Sequence, residues 1–417
     1  MLLRNKKLKF SGLLLFLGQW LFFTGQSLAG ELVINSNLSD PAQKMALKEV
    51  IASFEKEHKN IKVSLNIYDH EAYKTGIRNW LTTYPPDIVT WYGGNRMKEF
   101  VHKNLFTDLS SFWQEKDLYT HMASSLEAMT VKGAQWGLPY SYYQWGIYYR
   151  KSLFQKAGIK PFKNWQDFLL ACKALKESGI TPITIGTKYL WPAAGWFDYI
   201  NLRLNGLEFH SDLMAGKIAY TDKNVLDVFD KWRQVIEPSY YLENHAAYSW
   251  QEALSFFMNG KAAMYLIGSF ATQNLSSIYD DVGFMAFPII NPNIKLAEEA
   301  PMDTLHIPTK AKNKKEALSF LSFVANKDTL SQFNKNLRQL PPHKMAKVGS
   351  DHLLKAGLET LNKAKGTSQF YDRDTKPAMA KAGLKGFQEF MIKPKRGAKI
   401  LKRLEKVRKR VYRSGAH

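Results

Sequence analysis

Trp91 and Tyr92 stand directly before Gly93 and Gly94, at the end of the apolar run that starts at Asp87. That run predicts a buried strand, and a ring at its end can project over a crevice while the glycines let the backbone come close to a bound molecule. Short polar groups hold the matching places after two earlier apolar runs: Asn37 and Asp40 after Glu31–Ile34, and Asp69 after the alternating Ile61, Val63, Leu65, Ile67. Flat rings with polar tips beside small acceptors suit non-covalent capture rather than bond-making. Asp40 has a second use as a helix cap and Asp69 as a turn residue. Covalent chemistry has little to work with. There is no Gly-x-Ser-x-Gly turn, His-Glu-x-x-His helix or phosphate-binding glycine loop. The ten histidines are scattered, and Glu298 and Glu299, as neighbours, point apart on any regular element and predict a solvated loop.

The elements that position these residues follow from periodicity. A strand at Glu31–Ile34, a helix over 41–57 with Leu47, Val50, Ile51 and Phe54 on one face, a strand at 61–67, a helix over 71–82 and a strand ending at Trp91 give the order β-α-β-α-β. That order implies a parallel sheet covered by helices, in which ligands lie beyond the carboxyl ends of the strands. A second α/β unit follows Gly137-Leu138-Pro139-Tyr140: a strand from Gly146 to Tyr149, a helix from Asn164 to Leu175 and a strand from Pro182 to Gly186. Ser249 with Glu252 makes a capping box ahead of Trp250, and Gly260 turns the chain into a strand from Ala262 to Ile267.

A chain of 417 residues exceeds what a single core supports, so two domains are expected. One cysteine, Cys172, excludes an internal disulfide or a thiolate zinc site. Mean hydropathy is -0.32, and the longest apolar run, Leu13–Phe23, is short for a bilayer span, which excludes a membrane pore. The formal charge of +21 suggests nucleic acid until its distribution is read: +4 lies in residues 1–29 and +11 in residues 381–417, leaving +6 for the body. At the N-terminus a basic stretch (Arg4 to Lys9), the apolar run and Ser27-Leu28-Ala29 form a leader with expected cleavage after Ala29. No cysteine stands just after it to carry a lipid, so a free periplasmic protein is expected.

A group of segments, in order, resembles a known family: Pro85-Pro86-Asp87-Ile88-Val89, Gly137-Leu138-Pro139-Tyr140, Gly146 to Phe154, Ala157-Gly158-Ile159, Asn164 to Phe168, Gly179-Ile180-Thr181-Pro182 and Phe257 to Met264. Over nearly the whole mature chain the sequence is similar to the extracellular solute-binding proteins of sugar ABC transporters, the group that includes the maltose-binding protein. The resemblance implies an α/β, two-lobed periplasmic binding fold, each lobe a mostly parallel sheet flanked by helices, with one sugar held between lobes and released by hinge motion. It places crossings near Leu138–Tyr143, Leu266–Phe270 and residues 305–320. Lobe I would then hold 30–138 plus about 269–310, and lobe II 140–267 plus about 311–417, after a leader over 1–29. The implied partners are a carbohydrate and a membrane permease, with no nucleic acid, cofactor or metal, for a monomeric, non-enzymatic protein.

A pyranose offers apolar C–H faces and a rim of hydroxyls, so its site needs aromatic platforms and paired hydrogen-bonding groups. By the resemblance, Tyr140 and Tyr142, with Tyr143 and Trp145 beside them, lie at the hinge. Trp191 matches a region where relatives place a sugar-facing aromatic, and Phe270, after the Gly268-Ser269 crossing, occupies a place where relatives often carry a stacking Trp. Trp250 at a helix start, Ser269, and the acceptor–fork combination of Asp303 and Arg338 complete the candidate set; Arg338 could equally be a surface charge. Two alternatives remain: a binder of an acidic sugar, glycerol phosphodiester or other small anion, and a secreted carbohydrate-active enzyme. Last, Ile400, Leu404, Val407 and Val411 recur at helical spacing within a very basic tail. A docked helix with a solvated basic face is expected there, the alternative being attraction to anionic lipid.

Overall fold

The computed structural model describes residues 30–413, so the leader and its cleavage point lie outside the described residues. In chain order the elements that matter are β1 (Gly30–Ser36), α1 (Pro41–Glu57), β2 (Ile61–Ile67), α2 (His70–Thr82), β3 (Ile88–Tyr92), α3 (Asn95–Val101), β4 (Leu138–Tyr142), β5 (Trp145–Arg150), α4 (Trp165–Glu177), β6 (Thr181–Thr184) and α5 (Pro192–Met214). They continue with α6 (Lys223–Ile236), α7 (Trp250–Met258), β7 (Ala262–Gly268), β8 (Val282–Met285), β9 (Glu298–Glu299), β10 (Met302–His306), α8 (Lys314–Ala325), α9 (Lys327–Leu337), β11 (Thr367–Ser368), α10 (Tyr371–Asp374), α11 (Pro377–Ile392) and α12 (Gly397–Arg413).

The expected β-α-β-α-β start is present, with β1 parallel to both β2 and β3. Its sheet has the order β2-β1-β3-β10-β4, and the second sheet the order β8-β5-β7-β6. Both sheets are mixed rather than mostly parallel. In the first, β10 runs antiparallel to β3 and β4; in the second, β5 runs antiparallel to β8 and β7, and only β6 and β7 are parallel. A third, minimal pair joins β9 to β11.

Each sheet carries its own core. One is built from residues between Leu32 and Tyr140 and between Leu305 and Leu337; the other from residues between Tyr143 and Phe287 and between Leu353 and Leu404. Each core draws on two separate stretches of the chain, and two boundaries differ from those the resemblance implies. Residues 269–287 belong to lobe II, because Ala271, Leu275 and Val282 pack in its core, and residues 311–337 belong to lobe I, because Phe320, Leu321 and Phe333 fill that core. The chain therefore crosses near 142–145, over 288–302 and over 338–352, not at Leu266–Phe270 or 305–320. Ser249 and Glu252 do form the capping box, with reciprocal bonds of 3.1 and 2.6 Å.

Candidate ligand-binding cleft

Strand alternation sorts the first pair of aromatics. Tyr92 projects into a cleft between the lobes, while Trp91, its neighbour, turns to the other face and packs near Tyr73 and Phe100 with ring centroids at 6.2 and 5.3 Å. Trp91 is a core residue and does not line the cleft. Trp91→Ala is expected to cost about 3–5 kcal/mol of stability, the usual loss for a large buried ring, while the ligand affinity of the folded variant stays close to that of the parent; denaturant melts paired with titration check this.

Asp69, not Asp40, caps its helix. Asp69 is spent on α2, where its carboxylate accepts from the backbone N–H groups of Glu71 and Ala72 at 3.0 Å each, so it does not face the cleft. Asp40 precedes α1 but makes no side-chain cap; it lines the cleft, with Gln251 Nε2 of the opposite lobe 3.5 Å away, and burial raises its pKa. Asn37 lines the cleft beside them. Its amide oxygen accepts from Thr90 Oγ1 at 2.7 Å and its Nδ2 donates to Tyr92 Oη at 3.0 Å, which fixes both groups. His70, the first residue of α2, reaches Tyr92 Oη with Nε2 at 3.2 Å. Burial first, then the cations Lys74, Arg373 and Arg96, hold this imidazole well below its ordinary pKa, so it is neutral.

The centre of the polar wall is Arg373. Its Nη2 donates to Tyr143 Oη at 2.6 Å, its Nη1 donates to the Met302 carbonyl at 3.1 Å and lies 3.3 Å from Asp303 Oδ1, and its guanidinium sits 4.1 Å from the centre of the Tyr92 ring. The Asp303 contact is an ion pair without an aligned hydrogen bond, so Oδ1 is a buried acceptor with no hydrogen-bond partner in the protein. Burial pushes Asp303 up to about 6, with Arg373 opposing. Beside it, Asp372 pairs with Arg96 of α3 at 2.7 Å. The segment carrying these groups comes from lobe II and lies against lobe I, where Gly94, at φ +68°, makes room for it: a Cβ there would meet the Arg373 carbonyl at 3.1 Å. The paired glycines thus admit a neighbouring segment of the protein rather than a ligand.

Facing this wall is an aromatic one from lobe II. Trp145, Trp191, Trp250, Phe270 and Phe370 all line the cleft. Trp145 packs edge-on to Trp191 at 6.0 Å and lies 4.8 Å from Phe370, and Trp250 meets Phe270 edge-on at 5.3 Å. Trp145 Nε1 is a second buried polar atom with no partner in the protein. Leu190, just before Trp191, is held at φ +69°, a strained conformation for a side chain of its size, and it sets the direction of the indole. The space between the walls amounts to about 750 Å³, its open mouth included.

Four further candidates lie elsewhere. Tyr140 is buried in lobe I, stacked on Phe333 at 5.4 Å, and Tyr142 pairs through its backbone with Leu340 at the hinge. Ser269 bonds through its backbone N–H to the Gln144 carbonyl and does not line the cleft. Arg338 closes α9 in the left-handed conformation, donates to the Thr272 carbonyl at 3.1 Å and covers the Tyr279 ring at 4.3 Å, so it ties lobe I to lobe II away from the cleft.

Glu298 and Glu299 are buried, not solvated. Glu298 is matched by Arg203 of α5, and Glu299 is buried against Asp198 of the same helix with neither of its oxygens hydrogen-bonded within the protein. Asp198 in turn accepts from the Tyr371 backbone N–H at 2.7 Å, at the root of the Arg373 segment. Burial pushes Asp198 up to about 8, and burial with the neighbouring Asp198 charge holds Glu299 well above the carboxylate range. The pair keeps at least one proton at neutral pH. Because the folded state holds protons that the unfolded chain has released, the associated stability is present at low pH and is lost as pH rises through the folded values. The melting temperature should fall from about pH 4, where the unfolded carboxyls titrate, to about pH 8, and Glu299→Gln, which keeps a donor without a charge, should flatten that fall; an unchanged slope in the variant would contradict the shared proton.

Comparison with known proteins fits this geometry. Residues 35–329 match the model of the bacterial extracellular solute-binding protein family. The chain belongs to that family. This solute-binding protein is 27% identical over 317 residues to an uncharacterized ABC transporter extracellular-binding protein of Pyrococcus horikoshii, covering 73% of this chain and 70% of that one. It is 22% identical over 297 residues to the multiple sugar-binding protein of Streptococcus mutans, 69% of each chain. Among solved structures it superposes on the bacterial solute receptor AcbH, described as having an exclusive substrate preference for β-D-galactopyranose, with a TM-score of 0.87 and 28% identity, over 92% of this chain and all of that one.

Proposed function

We propose that the solute-binding protein is the periplasmic receptor of an ABC importer, which captures a neutral mono- or oligosaccharide between its lobes and presents it to the membrane permease. The observation that carries this reading is the division of the cleft into an aromatic wall and a polar wall built around the ion pair of Arg373 and Asp303. A pyranose stacks a C–H face on the first and directs hydroxyls to the second. AcbH and the Streptococcus mutans protein, both described as sugar binders, support the ligand class.

Charge argues against an acidic ligand. The cleft holds the acids Asp40, Asp303 and Asp372 against the cations Lys74 and Arg373, and Lys74 has Glu71 3.2 Å away. No surplus of positive charge awaits an anion. The protein acts after removal of residues 1–29, as a monomer, and without turning its ligand over. A thermal-shift screen of neutral sugars and their uronic-acid forms tests this: a neutral sugar at a hundred times its Kd adds about 2.7 kcal/mol. A shift confined to the acidic forms would contradict it.

A further inference from the structure

The C-terminal helix α12 turns Ile400, Leu401 and Leu404 into the core of lobe II, so the stripe that could have entered a bilayer is used inside the protein. Its sole acid, Glu405, is also turned inward: it accepts from the Tyr220 backbone N–H at 2.9 Å and from Arg408 Nε at 2.8 Å. What remains outside is cationic. Lys399, Lys402, Lys406, Lys409 and Arg413 are exposed and recur at spacings of three, four, three and four, which places them in a single row along the outer face. Lys399, Lys402, Lys406 and Arg413 enter no ion pair among the described residues, and Lys409 has only Glu405, 3.9 Å away. Exposed Lys393 and Lys395 extend the charge into the preceding turn. Like charges at such spacing weaken a helix, and here the buried apolar face supports it.

We infer that this outer face of α12 docks the solute-binding protein on an anionic phospholipid surface. A row about 21 Å long on a rigid helix can meet a plane of headgroups along its whole length. Nucleic acid fits less well, because the face interleaves no free aromatic ring for stacking: Tyr412 is half-buried and donates to the Met214 carbonyl at 2.7 Å. No cation of this row lines the cleft, so docking leaves the ligand site open.

The test uses the chain from Gly30 onward, both lobes intact, sedimented with phosphatidylcholine vesicles with or without phosphatidylglycerol. Association is expected only with the anionic vesicles and is expected to fade as salt is raised. The quadruple variant K399Q/K402Q/K406Q/R413Q should bind those vesicles at least about tenfold more weakly, with melting no lower than the parent's and sugar affinity unchanged. K44Q/K48Q/K59Q/K62Q, which removes as much charge from exposed sites on lobe I, should behave as the parent. Absence of association at low salt, an equal loss in the lobe I variant, or tighter binding to single-stranded RNA or alginate than to vesicles would overturn the inference.

Discussion

Arg373→Met is expected to remove ligand binding almost entirely, weakening it by at least about a hundredfold, or roughly 2.7 kcal/mol. Arg373 is the cation for Asp303, the donor to Tyr143 and the lid over the Tyr92 ring, so its loss strips three groups of their orientation together. It also leaves the Asp303 carboxylate without its nearest cation in a buried site, which costs about 3–5 kcal/mol of stability. Two measurements separate the effects: a melt, which should fall, and calorimetric titration at a temperature where the variant is still folded. Asp303→Asn provides the complement. It removes the buried charge while keeping the shape, and it should lose affinity with a smaller loss of stability; an affinity equal to the parent's would show that Asp303 does not touch the ligand.

Trp191→Ala is the second large effect. Trp191 has its edge on Trp145, lies near both Phe270 and Phe370, and is aimed by the strained Leu190. Truncation opens the aromatic wall and should weaken binding by about 1–3 kcal/mol, with most of the change in the dissociation rate. Trp191→Phe, which keeps a face and gives up the N–H, should recover most of it. If both variants bind as the parent does, the wall is packing for lobe II and not a platform.

The contrast between Trp91 and Trp191 shows what the sequence can and cannot place. Both follow strand-like runs, and periodicity cannot say which side of a sheet faces the partner lobe; the pleat gives the cleft to Tyr92 and the core to Trp91. Asp40, readable as a cap, and Asp69, readable as a turn residue, are equal candidates in sequence, and the α2 cap made by Asp69 and the interlobe contact of Asp40 with Gln251 separate them. The early β-α-β-α-β order and the Ser249 capping box were legible because both rest on local spacing. The crossings were not, since nothing local announces that Met302–His306 inserts between β3 and β4.

The same limit hid the strongest part of the site. Phe370, Asp372 and Arg373 lie on a short segment whose partners, Arg96, Tyr143 and Asp303, are distant in the chain. The one available signal was composition: an aromatic and charged knot, Phe370-Tyr371-Asp372-Arg373-Asp374, between two helical stretches. Glu298 and Glu299 were misplaced for a related reason, because Arg203 and Asp198, which make their burial possible, belong to α5. His70 and Lys74, one turn apart on α2, carried no mark beyond following Asp69.

The most direct test of interlobe sugar capture is calorimetric titration of the solute-binding protein with the neutral sugar that shifts its melting most, with the sugar recovered afterwards. The account predicts one saturable site per chain, return of the sugar unaltered, at least about a hundredfold weaker binding in Arg373→Met and binding weaker by about 1–3 kcal/mol in Trp191→Ala. Parental affinity in both variants, or a sugar returned as cleavage products, would contradict it.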